Sequence, residues 1–484
     1  MPTRLNPGPK RPLLVIARAE IGGLLAIAWP MLIAQLAQTA TGVVDTVMAG
    51  HYSAADLAAI AIGYNIWLPL YLFFIGVMLG ATTLIARDFG AGRFQRIRAV
   101  LPQTLWLAIA LGLVAGPVCY FAGTLLDRLP LDPGTAERSA AYLRAVAFGM
   151  PAAAVFQALR CYTQGIGIMR PFAIASVLGF LANIPLNYAL IYGHWGAPEM
   201  GAAGCGWATA ISMWLSTLLI GFYILRARAL APFLPTRLLA APRVAILGGV
   251  ARIGLPIGLS FLLEVTVFSI IGLGVATLGD AAMAAHQIAY NMWDVVYIFL
   301  VSVGSAMATR VGHAIGAGDR QRLLVAIGCG SSITLLAGIA GMTALLVLPG
   351  PLIGAYTDDP EIRSVAMALI GMAAVFVLID AMQVTAAFCL RAFKDTLFPF
   401  LVLCGCYWLV TLPLGFWLGV VASDDPLQGA LGFWKSMITG IVLSTLILLA
   451  RLLRTLLQPL PAPEQAREPA VQVGINPGDN RQDL

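Results

Sequence analysis

Charged residues are scarce in this chain of 484 residues. Only 11% of the residues are charged and 60% are hydrophobic, whereas an average soluble chain carries roughly 25% charged residues. A soluble domain of this composition would have too few charges to cover its surface. The composition therefore excludes an ordinary soluble fold and indicates a chain that uses lipid as its solvent.

Motifs for metal or nucleophile chemistry are also missing. The seven cysteines lie in or at the ends of apolar stretches, and no spacing among them suggests zinc, even for the pair Cys404 and Cys406. No HExxH sequence occurs, and Gly279-Asp280 stands at the end of an apolar stretch without a partner motif. We expect His286 and His313 to serve helix packing. An intramembrane enzyme and a structural metal site are both disfavoured.

Twelve long apolar stretches are present instead. Each has about 20 residues or more, which is the length that a helix needs to cross ~30 Å of hydrocarbon. We therefore predict an all-α membrane protein with twelve transmembrane helices, at residues 21–48, 57–86, 99–126, 140–163, 172–193, 203–226, 245–277, 281–311, 322–348, 363–391, 397–422 and 428–454.

The basic residues are distributed unevenly. Together with the termini, the connections after even-numbered spans define one side of the membrane, and 24 of the 29 Lys and Arg lie on that side; the exceptions are Arg128, Arg138, Arg144, Arg363 and Lys435. The positive-inside rule then predicts cytoplasmic termini and a multi-pass plasma-membrane protein, which in a bacterium means the inner membrane. The net charge of +6 is thereby explained as a topology signal, so nucleic-acid binding has no support. The first span is too long for a signal peptide.

The sequence repeats itself. Residues 30–96 align without a gap on residues 226 positions later, pairing Pro30 with Pro256 and Asn65 with Asn291, and later segments align at an offset of 228. This repeat predicts two parallel six-helix bundles with a cleft between them. Such a scaffold is suited to alternating access. We predict bundles at 21–226 and 245–456, cytoplasmic segments at 1–20 and 227–244, and a disordered tail at 457–484.

Polar residues and prolines that recur in both halves are assigned to the shared scaffold. Asn65 and Asn291 are expected to form hydrogen bonds between helices. The paired prolines should bend their spans and free a carbonyl near a cavity or hinge; they are Pro30, Pro256, Pro185 and Pro413.

Three carboxylates break the repeat and are the main functional candidates. Glu264 corresponds to Gln38, while Asp380 and Asp45 correspond to Ala152 and Ile271. A lipid-facing carboxylate costs at least ~2.5–3.5 kcal/mol, so each should face a cavity, a partner or a proton. No Lys or Arg lies nearby in these spans, which disfavours a buried ion pair.

Position along the spans groups these acids. Glu264 and Asp380 fall within several ångströms of one depth and should share a cavity in the second half. In the first half, a polar stripe at spacings of three and four should line a second cavity together with two asparagines four apart; these residues are Gln38, Thr41, Asp45, Asn183 and Asn187. Asp294 also breaks the repeat, against Leu68, near the outer end of its span.

Several motifs together resemble multidrug and toxic compound extrusion (MATE) transporters. They are Val44-Asp45-Thr46-Val47-Met48-Ala49-Gly50, Ala285-His286-Gln287, Arg310-Val311-Gly312-His313 and Gly316-Ala317-Gly318. Leu255-Pro256 followed by Glu264, with Asp380 in the tenth span, is similar to the NorM branch. The resemblance extends from about residue 20 to residue 455.

The resemblance implies a V-shaped antiporter that exports cationic, often aromatic drugs in exchange for Na⁺ or H⁺. It assigns cation coupling and drug binding to Asp45, Glu264 and Asp380. If the coupling ion is Na⁺, the resemblance places it at Glu264 and Asp380. It assigns the first-half cavity to Asn183 and Asn187, and we add Gln287 and Asp294 as cavity candidates. No other cofactor and no structural metal is expected; the expected partners are membrane lipids and cationic amphiphiles, and the expected state is a monomer.

One alternative within the same superfamily is a flippase for an anionic lipid-linked precursor. Its cavity should be lined with Arg or Lys. The predicted spans hold almost none, apart from Arg144 and Lys435 near their outer ends, and the flippase is therefore disfavoured.

Overall fold

The structure is a computed structural model that describes residues 12–126, 128, 132–423 and 425–460. The first half contains α1 (Leu13–Tyr52), α2 (Ala54–Gly90), α3 (Phe94–Leu126), α4 (Pro133–Ala147), α5 (Met150–Ile166), α6 (Arg170–Tyr192) and α7 (Gly201–Arg226). The second half contains α8 (Val244–Ala276), α9 (Asp280–Ala317), α10 (Arg320–Val347), α11 (Pro349–Gly354), α12 (Pro360–Ala392), α13 (Leu397–Val421) and α14 (Pro426–Leu457). Among the described residues, all regular secondary structure is helical and no strand occurs.

Eleven of these helices are long and apolar enough to cross a membrane, and α4 with α5 forms a twelfth span that is bent by 45°. The prediction of twelve spans is confirmed, but the continuous helix expected at 140–163 is wrong. Gly149 separates the two pieces and Pro151 follows at the start of α5. Since proline has no N–H to bond the preceding turn, the helix breaks there.

Local sequence determines where several helices begin and end. The Ser53 hydroxyl accepts hydrogen bonds from the backbone N–H groups of Ala55 and Asp56, which starts α2. Gly318, at φ 68°, ends α9 in a left-handed conformation that favours glycine. Asp319 then caps α10 through the N–H of Arg322. The turn between α9 and α10 is therefore encoded in two adjacent residues.

Pro413 affects its helix more than the other paired prolines do. The segments Gly405–Thr411 and Trp417–Val421 of α13 are wound as π-helix on both sides of it, whereas α1, α6 and α8 pass through Pro30, Pro185 and Pro256 as α-helix. A missing proline N–H is one cause of such widened turns. Within α13 the Thr411 hydroxyl bonds the carbonyl of Cys406 at 3.1 Å.

The two bundles meet closely on the side where α1 begins and α14 ends, which we call the terminal side. Gly76 and Gly80 of α2 lie directly against Gly258 and Gly254 of α8, where a Cβ atom would collide with the opposite backbone. Small residues allow helices in a membrane to approach this closely. The glycines therefore determine how tightly the bundles close.

Polar contacts strengthen the same interface. The Glu20 carboxylate of α1 accepts two hydrogen bonds from Arg310 of α9, at 2.7 and 2.8 Å, and one from Arg322 of α10 at 2.6 Å. Nearby, the His313 imidazole lies 2.8 Å from the Gly165 carbonyl. At mid-depth, Gln35 donates to the hydroxyl of Ser302 at 2.9 Å. These contacts close the cleft between the bundles on the terminal side.

Candidate functional site

Glu264 and Asp380 line one cavity in the second bundle. It has a volume of about 60 Å³, enough for a few water molecules. Glu264 comes from α8 and Asp380 from α12, and Tyr297 of α9 forms another wall. Helices far apart in the sequence thus bring the two acids together, at the common depth that their positions along the spans indicated.

Asp380 is held by a tryptophan. The carboxylate is 4% exposed and accepts a hydrogen bond from the Trp293 indole N–H at 3.0 Å. The indole in turn stacks on Tyr297 at a centroid distance of 4.9 Å. This arrangement fixes the carboxylate on the cavity wall and leaves lone pairs for a further ligand.

Glu264 differs from Asp380 in its surroundings. It is half-buried, and its carboxylate forms no hydrogen bond or ion pair with any part of the chain that the structure describes. A buried or half-buried carboxylate without partners is unfavourable unless a cation, a proton or water compensates it. Glu264 is therefore the acid most in need of a ligand.

Arg391 also lines this cavity. The guanidinium lies 4.2 Å from the ring centroid of Phe388 and 5.7 Å from that of Phe261. No ion pair forms between Arg391 and either acid, but the fold brings this basic residue to their cavity although it lies at the end of α12, eleven residues after Asp380. That separation spans ~16 Å of helix, which a long side chain directed back along its helix partly covers.

Asp45 lies in a separate polar cluster of the first bundle. Its carboxylate accepts hydrogen bonds from Asn187 of α6 at 2.5 Å and from Thr209 of α7 at 3.1 Å. Asn187 also donates to Asn183 at 2.9 Å. Asp45, Asn183 and Asn187 are thus brought together. Thr209 was missed, because nothing in its sequence spacing distinguishes it from other threonines.

The other residues of the predicted stripe do not join that cluster. Gln38 and Thr41 are half-buried, and the Thr41 hydroxyl bonds the Ala37 carbonyl of its own helix at 3.0 Å. A hydroxyl can satisfy itself on the preceding helical turn and then needs no partner elsewhere. The stripe therefore separates into a buried acid and two half-buried residues nearer to mid-depth.

Gln287, Asn291 and Asp294 follow one face of α9 at spacings of four and three. Gln287 is exposed and donates to Asn291 at 3.0 Å, while Asp294 is half-buried. The predicted bond from Asn291 to a neighbouring helix is wrong, since this contact lies within α9. Asn65, its counterpart in α2, has an exposed side chain, so the repeat does not impose a shared scaffold bond.

Besides Arg391 in the second bundle, the first bundle also contains a buried basic residue, Arg160. Arg160 is 4% exposed, donates to Gln157 at 3.0 Å, and lies 4.8 Å from the ring centroid of Phe172. The expectation that Arg144 and Lys435 were the notable basic residues of the spans is therefore wrong. Arg160 falls within the predicted span 140–163 and was overlooked.

His286 and His313 have packing contacts. Trp434 donates to the His286 imidazole at 3.2 Å, and the His313 ring packs against Phe89 in a tilted arrangement at a centroid distance of 4.7 Å. Among the described residues, no group of three or more His, Cys, Asp or Glu is arranged to hold a metal ion.

Comparisons with known proteins agree on one family. The family model MatE matches residues 30–189 and 256–417. The chain is 38% identical to the multidrug resistance protein PmpM of Pseudomonas aeruginosa, covering 90% of this chain and 92% of that protein. It is also 38% identical to the multidrug resistance protein MdtK of Photorhabdus laumondii, over 91% and 96%.

Solved structures show the same fold at low sequence identity. The eukaryotic MATE transporter AtDTX14 aligns with a TM-score of 0.82 at 17% identity, covering 90% of this chain and 96% of that one. An outward-facing multidrug resistance MATE transporter aligns with a TM-score of 0.82 at 18% identity, covering 93% and 99%. The twelve-span, two-bundle fold is confirmed.

Proposed function

Because this chain belongs to the MatE family of multidrug and toxic compound extrusion transporters, we propose that it exports organic cations and cationic drugs in exchange for Na⁺ or H⁺ by alternating access. It is a multi-pass membrane transporter and not an enzyme. Such export from a bacterial inner membrane would confer antibiotic resistance. The proposed partners are cationic amphiphiles and membrane lipids, and the proposed working unit is a monomer.

The cavity of Glu264 and Asp380 is the observation that carries this proposal. Exchange requires that the coupling ion and the drug compete, with a coupling free energy that is typically ~1–3 kcal/mol. A half-buried carboxylate without protein partners can supply that competition, since it can compensate one cation at a time. The small cavity suits Na⁺, a proton or water, so we assign it to the coupling ion.

Alternating access needs a contact between the bundles that forms in one state and breaks in the other. The Glu20 ion pairs with Arg310 and Arg322 join α1 to α9 and α10 only while the terminal side is closed. If the termini are cytoplasmic, as the charge distribution predicts, this conformation opens to the outside. Rocking of the bundles would then break the Glu20 contacts and open the other side.

A flippase for an anionic precursor is not favoured, although two arginines lie inside the bundles. Arg160 is buried against Phe172, and Arg391 shares its cavity with two acids. Neither forms a basic cleft surface for a phosphate-bearing headgroup. The polar cluster of Asp45, Asn183 and Asn187, together with Asp294 and Gln287, suits a cationic drug better.

Dye efflux in inverted vesicles, with a Na⁺ gradient and a pH gradient imposed separately, tests the proposal. Glu264→Gln and Asp380→Asn remove a charge at nearly constant size, and efflux driven by the effective ion should fall at least tenfold in both. Glu361→Gln, which removes an exposed carboxylate from the first turn of α12, should leave efflux unchanged. Parental efflux with full ion dependence in both cavity variants would refute the assignment of the coupling site.

A further inference from the structure

Arg391 shares a cavity with two carboxylates, and yet it pairs with neither. Within the described residues it has no ion pair, and its Nη1 atom is buried without a hydrogen-bond partner. Its guanidinium instead lies near the rings of Phe388 and Phe261. An arginine on an aromatic face gains cation–π attraction there, and in this position its guanidinium forms no ion pair with Glu264.

The charges around this cavity can be counted. Glu264 and Asp380 contribute two negative charges when ionised, and Arg391 contributes one positive charge. Asp395 also lines the cavity, but Arg451 of α14 neutralises it at 2.8 Å. Among the described residues, Tyr290 and Tyr297 of α9 and Tyr407 of α13 also interact electrostatically with Glu264, and all three are neutral phenols. With both acids ionised, the cavity therefore carries a formal charge of −1.

We propose that Arg391 is a positioning residue for the coupling ion, whose fixed positive charge lets the cavity take up one monovalent cation at a time and release it again. This inference rests on the proposed function of Glu264 and Asp380 as the coupling site. Without Arg391 the two acids would present a charge of −2. Since opposite charges attract more strongly where water is partly excluded, the ion would then bind more tightly and leave more slowly.

Ion binding can be measured without transport. A ligand that binds only the folded protein raises its melting temperature according to its concentration relative to Kd. Purified protein is therefore titrated with NaCl against choline chloride at constant ionic strength, and separately with pH, and the half-maximal ion concentration of the thermal shift is recorded. Efflux driven by the same ion is measured in parallel.

Four variants separate charge from packing. Arg391→Met should lower the half-maximal ion concentration about tenfold and slow efflux at a saturating ion gradient, whereas Arg391→Lys keeps the charge and should stay close to the parent. Glu264→Gln brings the formal charge of the cavity to zero and should abolish the ion response. In the double variant Glu264→Gln/Arg391→Met the formal charge of the cavity is again −1, so its melting temperature should again rise with the ion concentration. That recovery is not expected of a purely structural arginine.

Arg252→Met is the matched control. Arg252 is an exposed arginine on α8, twelve residues before Glu264, and does not line the cavity; its removal should leave ion affinity unchanged. If Arg391→Met is not obtained folded, Arg391→Gln carries the same expectation.

Two outcomes distinguish this inference from the proposed function. Unchanged or weaker ion affinity in Arg391→Met, while Glu264→Gln still loses its ion response, overturns the role of Arg391 alone. An ion response that survives in both Glu264→Gln and Asp380→Asn overturns the coupling site itself, and the inference with it.

Discussion

Glu20→Gln should shift the protein toward the state in which the terminal side is open. Glu20 is 2% exposed, and its partners Arg310 and Arg322 are 16% and 33% exposed. Loss of one partner from a buried ion pair costs ~3–5 kcal/mol. Because Arg322 still reaches water, we take the lower end, about 3 kcal/mol, for the closed state.

The state in which the terminal side is open should not be destabilised by Glu20→Gln, since water can hydrate both arginines once the bundles separate. The equilibrium between the closed and open terminal side should therefore move by the same ~3 kcal/mol, which is roughly a hundredfold change in population. Arg310→Gln should shift it more than Arg322→Gln, because Arg310 makes two of the three contacts with Glu20 and is less exposed.

Double electron–electron resonance between spin labels at 170 and 317, in a variant lacking the native cysteines, measures this shift. These exposed positions begin α6 and end α9, on opposite bundles. Glu20→Gln should add a population at longer distance. Asp56→Asn is the control, since Asp56 is buried but bonds Ala202 within the first bundle. A distance distribution unchanged in Glu20→Gln, or shifted equally in Asp56→Asn, would refute the reasoning.

Three further predictions concern packing, the first-half cluster and topology. Gly254→Val should collide with the Val77 carbonyl and reduce dye efflux severalfold, whereas Gly22→Val, with open space around it, should not. Asn187→Ala should remove a bond to Asp45, lowering stability by about 1–3 kcal/mol in thermal unfolding and reducing efflux by protein that is still folded; parental efflux would exclude a role for this cluster. Single cysteines at 53, 197 and 426 should react with an impermeant thiol reagent from outside, and those at 93, 235 and 320 should not; the reverse pattern would invert the topology.

The fold could be predicted from the sequence because its determinants are local. Length and apolarity identify each span, and the offset of 226 residues indicates two bundles. The break in the fourth span was missed, since an apolar window does not distinguish a straight helix from a bent one. Gly149 followed by Pro151 was nevertheless a visible signal for it.

The site was only partly predictable, because side-chain partners depend on how the helices approach one another. Unpaired carboxylates in apolar spans are conspicuous, and Glu264, Asp380 and Asp45 were identified on that ground. Trp293 and Arg391 were not, although both lie beside those acids. An indole is unremarkable in an apolar span, and an arginine at a helix end normally indicates the membrane surface rather than a cavity.

The repeat makes the difference between the halves interpretable. Trp67 and Trp293 occupy equivalent positions, but Trp67 donates to the Tyr142 hydroxyl at 3.1 Å while Trp293 donates to the Asp380 carboxylate. Asp45, the acid of the first bundle, already receives bonds from Asn187 and Thr209. Its negative charge is thus compensated by protein dipoles, whereas the Glu264 carboxylate accepts no hydrogen bond from the described residues and has only the charge of Arg391 across the same cavity. Under the proposed function, an ion that enters from the cleft would therefore gain more at Glu264 than at Asp45, because the buried Asp45 carboxylate already has hydrogen-bond donors on both oxygens.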